Sequence, residues 1–488
     1  MDIKKLLTIT FGVLLLMQTN AFGIEEAELF KPVEVKDGSS LSVTDCVATA
    51  FQNSPKIRRR KYELDIAKSN VGIAKSRYFP VIGAGVGFLN ENNSNNIYYN
   101  SHYRELPNVG VSVNKMVWDF GKTTAYVKME EFYKIGAEYE FVDSLCSTVF
   151  DVKAKYYRFL ETKALLDIAN EDVKLNEKFV KDAKKKADLT TAKLNLSKAQ
   201  VRQIKALNEF ENARTDLGNS MYLDSQPNFN IQNTATFTFE NPYSYFANTA
   251  EPKEFTPKKF TFPIDDAVEI AYKNSPDLNV LISTKNAMIQ SLASIKKTYF
   301  PELNANAGYG YNNSTQTSNN NFQVGVNLTS SVNLMELKHN IKGGEAQVNL
   351  ADNEILLFKK DLFFEVKRAL NNADKTSKQI PIAQMEASQG LENLKTVETE
   401  YKSGSLNYVA LQDARKDYIN ALQKYAESLY DYNLSLIQVE MAMHYHIVDI
   451  HHKSEHAMHY HSEELLHHLN KVLGCDEKET HRNKHNDL

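Results

Sequence analysis

The chain has 488 residues, enough for about two or three domains. Hydrophobic residues make up 42% and the mean hydropathy is −0.45, which excludes a protein built from many membrane-spanning helices, since each needs about 20 apolar residues. The formal net charge of −4 excludes the basic surface that nucleic acids require, so no nucleic-acid partner is expected. Few Gly and Pro residues interrupt the chain, which favours long elements.

Residues 1–23 have the pattern of a secretory signal peptide. Lys4 and Lys5 supply the positive charge, residues 6–17 are apolar but too short to span a bilayer, and small residues at Ala21 and Gly23 fit a cleavage site. The alternative interpretation is a buried N-terminal helix. The three cysteines are odd in number and widely spaced, so they do not indicate a disulfide framework.

The rest of the chain contains an internal duplication. Residues 45–80 align without gaps with residues 266–301, and both copies carry Asn-Ser-Pro near the start and Tyr-Phe-Pro at the end. The length of the repeat exceeds the period of about 20–50 residues in solenoids, so it indicates a duplicated domain half. The predicted units are a first half at 24–218, a joining segment at 219–262, a second half at 263–443, and a flexible tail at 444–488.

Each half is predicted to open with a helix and continue into a β-hairpin. After the Tyr-Phe-Pro breaks, apolar residues alternate with small or polar ones, as in a strand with two different faces. The hairpins are expected at about 80–118 and about 302–333, with polar loops between their strands. Strands of about 9–11 alternating residues are typical of outer membrane β-barrels.

Very long helices are predicted after each hairpin. The stretch from residue 122 to about 188 would reach on the order of 90–100 Å at about 1.5 Å per residue. The last helix carries a heptad pattern, which indicates a seam packed against a partner helix. The seam consists of Tyr418, Leu422, Tyr425, Leu429, Tyr432, Leu436 and Val439.

Four strands in one chain are too few to close a barrel. The smallest single-chain barrels have about eight strands, and an open sheet edge is not tolerated in lipid. Three chains would supply about twelve strands, enough to enclose a lumen lined by the small and polar face. The alternative is a soluble sheet of two hairpins packed on helices, and alternation alone does not separate the two.

The order of elements, with the motif at 117–121 and Tyr-Lys-Ser-Gly-Ser-Leu at 401–406, resembles the TolC family of outer membrane efflux proteins from about residue 41 to 443. The resemblance implies a mainly α fold with a β-barrel portion, and it places the joining segment at 219–262 in an equatorial region outside the helical barrel. It implies a homotrimer whose 12-stranded β-barrel spans the outer membrane of a Gram-negative bacterium and whose long α-helical barrel crosses the periplasm. Outer membrane lipid, a periplasmic adaptor and an inner-membrane pump, proton-driven or ABC, are the implied partners. The chain departs from the family at 184–189, which lacks the turn glycine, and at 333–336, where the second half has no counterpart of the first-half Trp-Asp-Phe-Gly.

The resemblance also implies a closed periplasmic end where paired helices turn back, near 182–188 and 400–407. Carboxylates repeated by trimer symmetry would form a ring that selects or latches by charge. The candidate aperture residues are Asp182, Asp188, Glu400 and Tyr401. The alternative for each is an ordinary solvated turn.

The tail has a strong compositional bias, because all but two of the 13 histidines lie from His444 onward. Neutral imidazoles and nearby carboxylates suit Zn²⁺, Ni²⁺, Co²⁺ or Cu²⁺, although no cofactor is required for a conduit. The candidate ligands are His444, His446, His452, His456, His459, His461, His467 and His468. The tail either gathers metal at the entrance of a heavy-metal efflux channel or is a polar appendage with incidental affinity.

The favoured function is a passive conduit for efflux of small molecules or metal ions. No nucleophile elbow, phosphate loop or triad spacing is present in the sequence, so no enzyme activity is expected. The main alternative is the same channel in type I protein secretion. A secreted coiled-coil adhesin or scaffold without a pore is a third hypothesis, and a metalloenzyme built on the tail is a weaker fourth.

Overall fold

The computed structural model describes residues 32–90, 105–182, 186–225, 227–231, 263–313 and 318–444. The predicted signal peptide, most of the joining segment and nearly all of the histidine-rich tail lie outside these residues. In chain order the elements are β1 (Ser40–Leu41), α1 (Val43–Asn53), α2 (Pro55–Ser76), β2 (Val81–Asn90), β3 (Glu105–Trp118), α3 (Lys122–Asp182), α4 (Lys186–Ser220), β4 (Asn230–Ile231), α5 (Ile264–Asn274), α6 (Pro276–Lys297), β5 (Glu302–Asn313), β6 (Ser318–Thr329), α7 (Leu334–Ser403) and α8 (Tyr408–Met443).

The two Asn-Ser-Pro motifs divide the opening helix of each half in the same way. Ser54 ends α1 and caps α2, and its hydroxyl accepts a hydrogen bond from the backbone N–H of Ile57. Ser275 does the same between α5 and α6, where it accepts from Leu278. The proline that follows each serine begins the next helix, a position at which the missing N–H costs nothing.

The two hairpins join in one antiparallel sheet with the order β2-β3-β5-β6. The register aligns the faces across all four strands: Ile82, Val113, Ala307 and Val324 form one apolar row. The second hairpin ends at Thr329, earlier than the predicted end near 333. The reason is that Thr329 pairs with Glu302, the first residue of β5, so among the described residues β6 has no partner strand beyond it. The Asn333 side chain then begins α7 by accepting hydrogen bonds from two backbone N–H groups.

The predicted long helices are present, with 61 residues in α3 and 70 in α7. Among the described residues, no helix is both long and apolar enough to cross a membrane. The hydrophobic core lies where α3, α4, α7 and α8 pack along one another. The predicted heptad seam of α8 is buried throughout, which confirms its interpretation as a core seam.

Candidate functional site

The turn between α7 and α8 is closed by a left-handed glycine. Gly404 has a φ of 83°, a conformation that a residue with a Cβ adopts only at a cost. Its N–H donates to the carbonyl of Tyr401 at 3.0 Å, and the N–H of Ser405 donates to the carbonyl of Glu400 at 3.0 Å. The side chain of Asn407 then caps α8 by accepting from Ala410 at 3.0 Å. These bonds make a compact helical hairpin at the predicted turn.

The structure brings two of the four aperture candidates together around Tyr408. The ring of Tyr401 is half-buried and packs edge-on against Tyr408, with ring centroids 6.1 Å apart. Burial raises the pKa of Tyr408, Arg415 opposes that shift, and Tyr401 and Asp188 add to it. Asp188, in the first turn of α4, is therefore close enough to act on this phenol.

The other two candidates lie apart from this group. Glu400 is exposed and contributes its carbonyl to the turn, while its carboxylate faces solvent. Asp182 is the last residue of α3, and its side chain lies outside what the structure describes. The aperture role of Asp182, Asp188, Glu400 and Tyr401 stays a prediction.

A buried ionic network that the sequence did not reveal joins the two helical hairpins near these turns. Asp172 of α3 accepts from Arg202 of α4, with 2.5 Å between Arg202 Nη2 and Asp172 Oδ2. Its other carboxylate oxygen binds Arg415 of α8, whose Nη2 also donates to the Asp172 carbonyl at 3.0 Å. Arg415 Nη1 donates to Asn176 Oδ1 at 2.5 Å. One carboxylate therefore links three helices.

The two central charges of this network are almost fully removed from water. The side chains of Asp172 and Arg415 are each 3% exposed, whereas that of Arg202 is 49% exposed. Burial lowers the pKa of Arg415, and the charge of Asp172 opposes that shift. Removal of one partner from a buried pair leaves an uncompensated charge, at a cost of about 3–5 kcal/mol.

The network lies close to the turns that end the two helical hairpins. Asp172 lies about ten residues, or ~15 Å along the helix, from the end of α3 at Asp182. Arg415 falls on the same helical stripe as Leu411 and Tyr418, which are buried. In the sequence, the one sign of this network is that Arg415 is a charged residue at a seam position. Its partner Asp172 lies 243 residues away, so the sequence does not reveal the pair.

A second buried carboxylate lies between α3 and α8. Glu161 accepts a hydrogen bond from Arg158, one turn earlier on the same helix. Burial raises the pKa of Glu161 to about 7, with Arg158 opposing the shift and Glu427 and Asp431 of α8 adding to it. The ionisation of Glu161 therefore depends on how α3 and α8 pack.

Of the eight candidate metal ligands, the structure describes His444 alone. His444 ends α8 in a left-handed conformation with a φ of 46°, and burial lowers its pKa against the opposing charge of Asp277. Within the described part of the chain, no group of three or more His, Cys, Asp and Glu side chains could hold a metal ion. The remaining candidates, His446, His452, His456, His459, His461, His467 and His468, lie outside the described residues.

The fold and the duplicated halves agree with a known protein family. A sequence model of the outer membrane efflux proteins matches residues 47–221 and 267–443, which together are most of the chain. The chain belongs to the outer membrane efflux protein family. A comparison with curated protein sequences gives no match for this efflux protein.

Solved structures of outer membrane channels share the fold of this efflux protein. The Campylobacter jejuni CmeC outer membrane channel has a TM-score of 0.68 at 15% identity, covering 82% of this chain and 85% of that one. The outer membrane protein VceC from Vibrio cholerae has a TM-score of 0.67 at 13% identity, covering 82% and 95%. The open state of the Neisseria gonorrhoeae MtrE outer membrane channel has a TM-score of 0.67 at 13% identity, covering 86% and 94%.

Several predictions from the sequence are thereby confirmed for this efflux protein. They are the resemblance to the TolC family, the mainly helical fold with a β-barrel portion, and the location in the outer membrane with a helical extension into the periplasm. Channels of the family are trimeric and work with adaptors and inner-membrane pumps. The homologues are channels rather than enzymes.

Proposed function

We propose that three copies of this chain form the outer membrane channel of a tripartite export system, a passive conduit for small molecules or metal ions. The observation that most strongly supports this proposal is that, within the described ranges, the four-stranded sheet has two unpaired edges. In the described chain, β2 pairs only with β3 and β6 only with β5, so both outer edges are unpaired. In lipid these edges must pair, and β6 of one copy beside β2 of the next satisfies them.

The two faces of the sheet support a lipid-facing exterior and a water-filled interior. Ile82, Phe322 and Val324 on the apolar face are 70%, 72% and 66% exposed in the single chain. The opposite face carries Gly83, Ser112, Gly308 and Gln323 in one cross-strand row. Such a division is the pattern of a transmembrane β-barrel with a polar lumen.

The helices support the same assembly through an uncovered apolar stripe. Leu350, Leu357 and Phe364 of α7 recur at heptad spacing, and each is more than half exposed. On α4, Leu194 and Val201 are also more than half exposed at that spacing. Heptad stripes bury themselves against neighbouring helices, so side-by-side copies would cover these surfaces and enclose a helical barrel.

We propose that the ionic network holds the periplasmic end closed, because Asp172 links the two helical hairpins through its ion pairs with Arg202 and Arg415. The proposed adaptor and inner-membrane pump would open the channel by separating α8 from α3, which breaks the bond between Asp172 and Arg415. We expect Asp172→Asn to raise single-channel conductance in planar bilayers, because it weakens both links. Arg202→Gln, which removes only the half-exposed link, should have a smaller effect.

A matched control tests an exposed ion pair that joins the same hairpins. Lys178 of α3 lies 3.3 Å from Glu398 of α7, and Lys178→Gln removes that pair. Exposed pairs contribute about 0–1 kcal/mol, so conductance should stay at the wild-type value. If folded trimers of Asp172→Asn, Arg202→Gln and Lys178→Gln had equal conductance, the ionic network would not hold the channel closed.

Deletion of the gene followed by a substrate panel tests the exported class. Increased sensitivity to drugs or metals supports efflux, and retention of a secreted protein with unchanged sensitivity supports type I secretion instead. Absence of ion conductance and of SDS-resistant trimers from the purified protein would contradict any channel.

We propose that the histidine-rich tail gathers Zn²⁺, Ni²⁺, Co²⁺ or Cu²⁺ at the channel entrance. The support is its composition, with imidazoles that bind such ions when neutral. A chain truncated after Val448 should lose metal resistance while its trimer and drug export stay unchanged. Unaltered metal resistance would overturn the proposal.

A further inference from the structure

The apolar face of the sheet ends in a cluster of aromatic rings at the junction with the helices. Trp118 ends β3 opposite Leu303, and its ring stacks on Phe120 with centroids 5.2 Å apart. Phe120 in turn stacks on Phe300 at 5.0 Å, and Tyr299 packs edge-on against Phe300 at 5.8 Å. The cluster therefore joins the end of the first hairpin to the start of the second.

The cluster is exposed although it is tightly stacked. Trp118, Phe120 and Phe300 are 59%, 41% and 44% exposed. Phe120 has a φ of 56°, and Asp119 holds this turn by accepting from the N–H groups of Gly121 at 3.0 Å and Thr123 at 2.6 Å. The backbone is thus fixed in a conformation that presents the rings outward.

The cluster is continuous with the lipid-facing surface. The Trp118 row continues through Leu303 to Leu328, on the same face as Ala307 and Val324. Aromatic residues at the rim of an apolar band mark the membrane–water interface of outer membrane barrels. The position beside the helices places this rim at the periplasmic leaflet.

A cation lies on the same face, one cross-strand row further into the membrane. Lys115 is exposed and pairs with Ala305, which pairs with Val326. Consecutive rows are about 7 Å apart along a strand, within reach of an extended lysine side chain. A lysine among lipid-facing residues is stable near the interface when its ammonium group extends toward the headgroups.

A second cation borders the cluster. Lys297 donates to the carbonyl of Gly121 at 3.1 Å. Lys115 and Lys297 form no ion pair with any residue in the described ranges, whereas nearby Lys122 is neutralised by Glu302 at 2.9 Å. Asp119 also lies at the junction, and its carboxylate accepts from the backbone N–H groups of Gly121 and Thr123.

We propose that Lys115, Lys297 and the Trp118–Phe120–Phe300 stack form a binding site for an anionic phospholipid of the periplasmic leaflet. The ammonium groups bind the lipid phosphate, and the rings pack against the glycerol region and upper acyl chains. The arguments are the continuity with the lipid-facing sheet and the two cations without carboxylate partners. The site goes beyond the export function and does not depend on the exported substrate.

The test uses Trp118, the single tryptophan of the chain. Purified full-length trimers are reconstituted into phosphatidylcholine vesicles with a minor fraction of brominated phosphatidylglycerol or, at equal mole fraction, brominated phosphatidylcholine. We expect blue-shifted emission and stronger quenching by the anionic lipid. Lys115→Gln combined with Lys297→Gln should reduce this quenching to the phosphatidylcholine level, and Lys115→Arg should retain it.

Lys205→Gln, on the exposed surface of α4, is the matched control and should leave the preference for the anionic lipid unchanged. Added inorganic phosphate should not displace the lipid, because the rings contribute to binding. Equal quenching of the wild type by both brominated lipids would overturn the proposal. Loss of the preference in Lys205→Gln, or quenching of Trp118 by aqueous iodide as strong as for free tryptophan, would also overturn it.

Discussion

The last helices of the two repeat halves, α4 and α8, occupy equivalent positions in the duplication but very different environments. The α8 helix packs against α7, α3 and α5, and its apolar stripe is buried along its whole length. The α4 helix makes its extensive contacts with α3, and much of its surface is exposed in the single chain. Duplication therefore preserves the order of the elements, while the burial of each helix is set by the helices packed against it.

The largest expected difference in stability is between substitutions at Leu422 of α8 and at its repeat counterpart Leu207 of α4. Their side chains are 4% and 47% exposed, respectively. Leu422→Ala should lower the free energy of unfolding by about 2–5 kcal/mol, because it opens a cavity in a packed core. Leu207→Ala should cost less than about 1 kcal/mol within the protomer. Denaturant unfolding of the two variants measures the contrast, and equal losses would contradict it.

An intermediate effect concerns the ionisation of Glu161 between α3 and α8. Since its pKa is raised from 4.5 to about 7, its stabilising contribution is present below pH 4.5 and is lost as pH rises through about 7. The charged groups that act on Glu161 are Arg158, Glu427 and Asp431. Tyr430 and Glu209 act in turn on Arg158.

Thermal unfolding of the trimer at pH 5.5 and pH 8 measures this dependence. The wild type should be more stable at pH 5.5, and Glu161→Gln should reduce that difference by on the order of 1–3 kcal/mol. Glu392→Gln, on the exposed surface of α7, serves as the control and should keep the wild-type difference. A pH dependence of Glu161→Gln identical to that of the wild type would show that this carboxyl group does not titrate in the range.

The smallest expected effect is at the turn between α7 and α8 in the second half, where Gly404 has a left-handed conformation. The first half has lysines at the equivalent turn. An added Cβ at Gly404 would meet no atom within 4 Å, so Gly404→Ala tests the backbone alone. It should cost about 1 kcal/mol. Gly343→Ala, inside α7 with equally open surroundings, should instead stabilise by about 0.5–1 kcal/mol. Urea unfolding measures both changes in the free energy of unfolding. If the two changes had the same sign, the left-handed backbone at Gly404 would not be the cause of the expected loss.

Local patterns predicted much of the architecture. The Asn-Ser-Pro motifs predicted the helix breaks because a serine cap and a following proline act over a few residues. The alternation in the hairpins predicted their two faces, and the heptads of α8 predicted its buried seam. The ionic network was missed, because Asp172 and Arg415 lie far apart in the sequence and each alone is an ordinary charged residue.

Local sequence patterns were sufficient to predict the repeat, the positions of most elements and the two faces of the strands, because these depend on neighbours along the chain. The packing of the folded chain decides that α8 is buried while much of its counterpart α4 is exposed, which charges share Asp172, and how Trp118, Phe120 and Phe300 stack at the edge of the sheet. The contacts between Asp172 and Arg415 and between Phe120 and Phe300 join segments that are far apart in the sequence, where a local pattern carries no information about the partner.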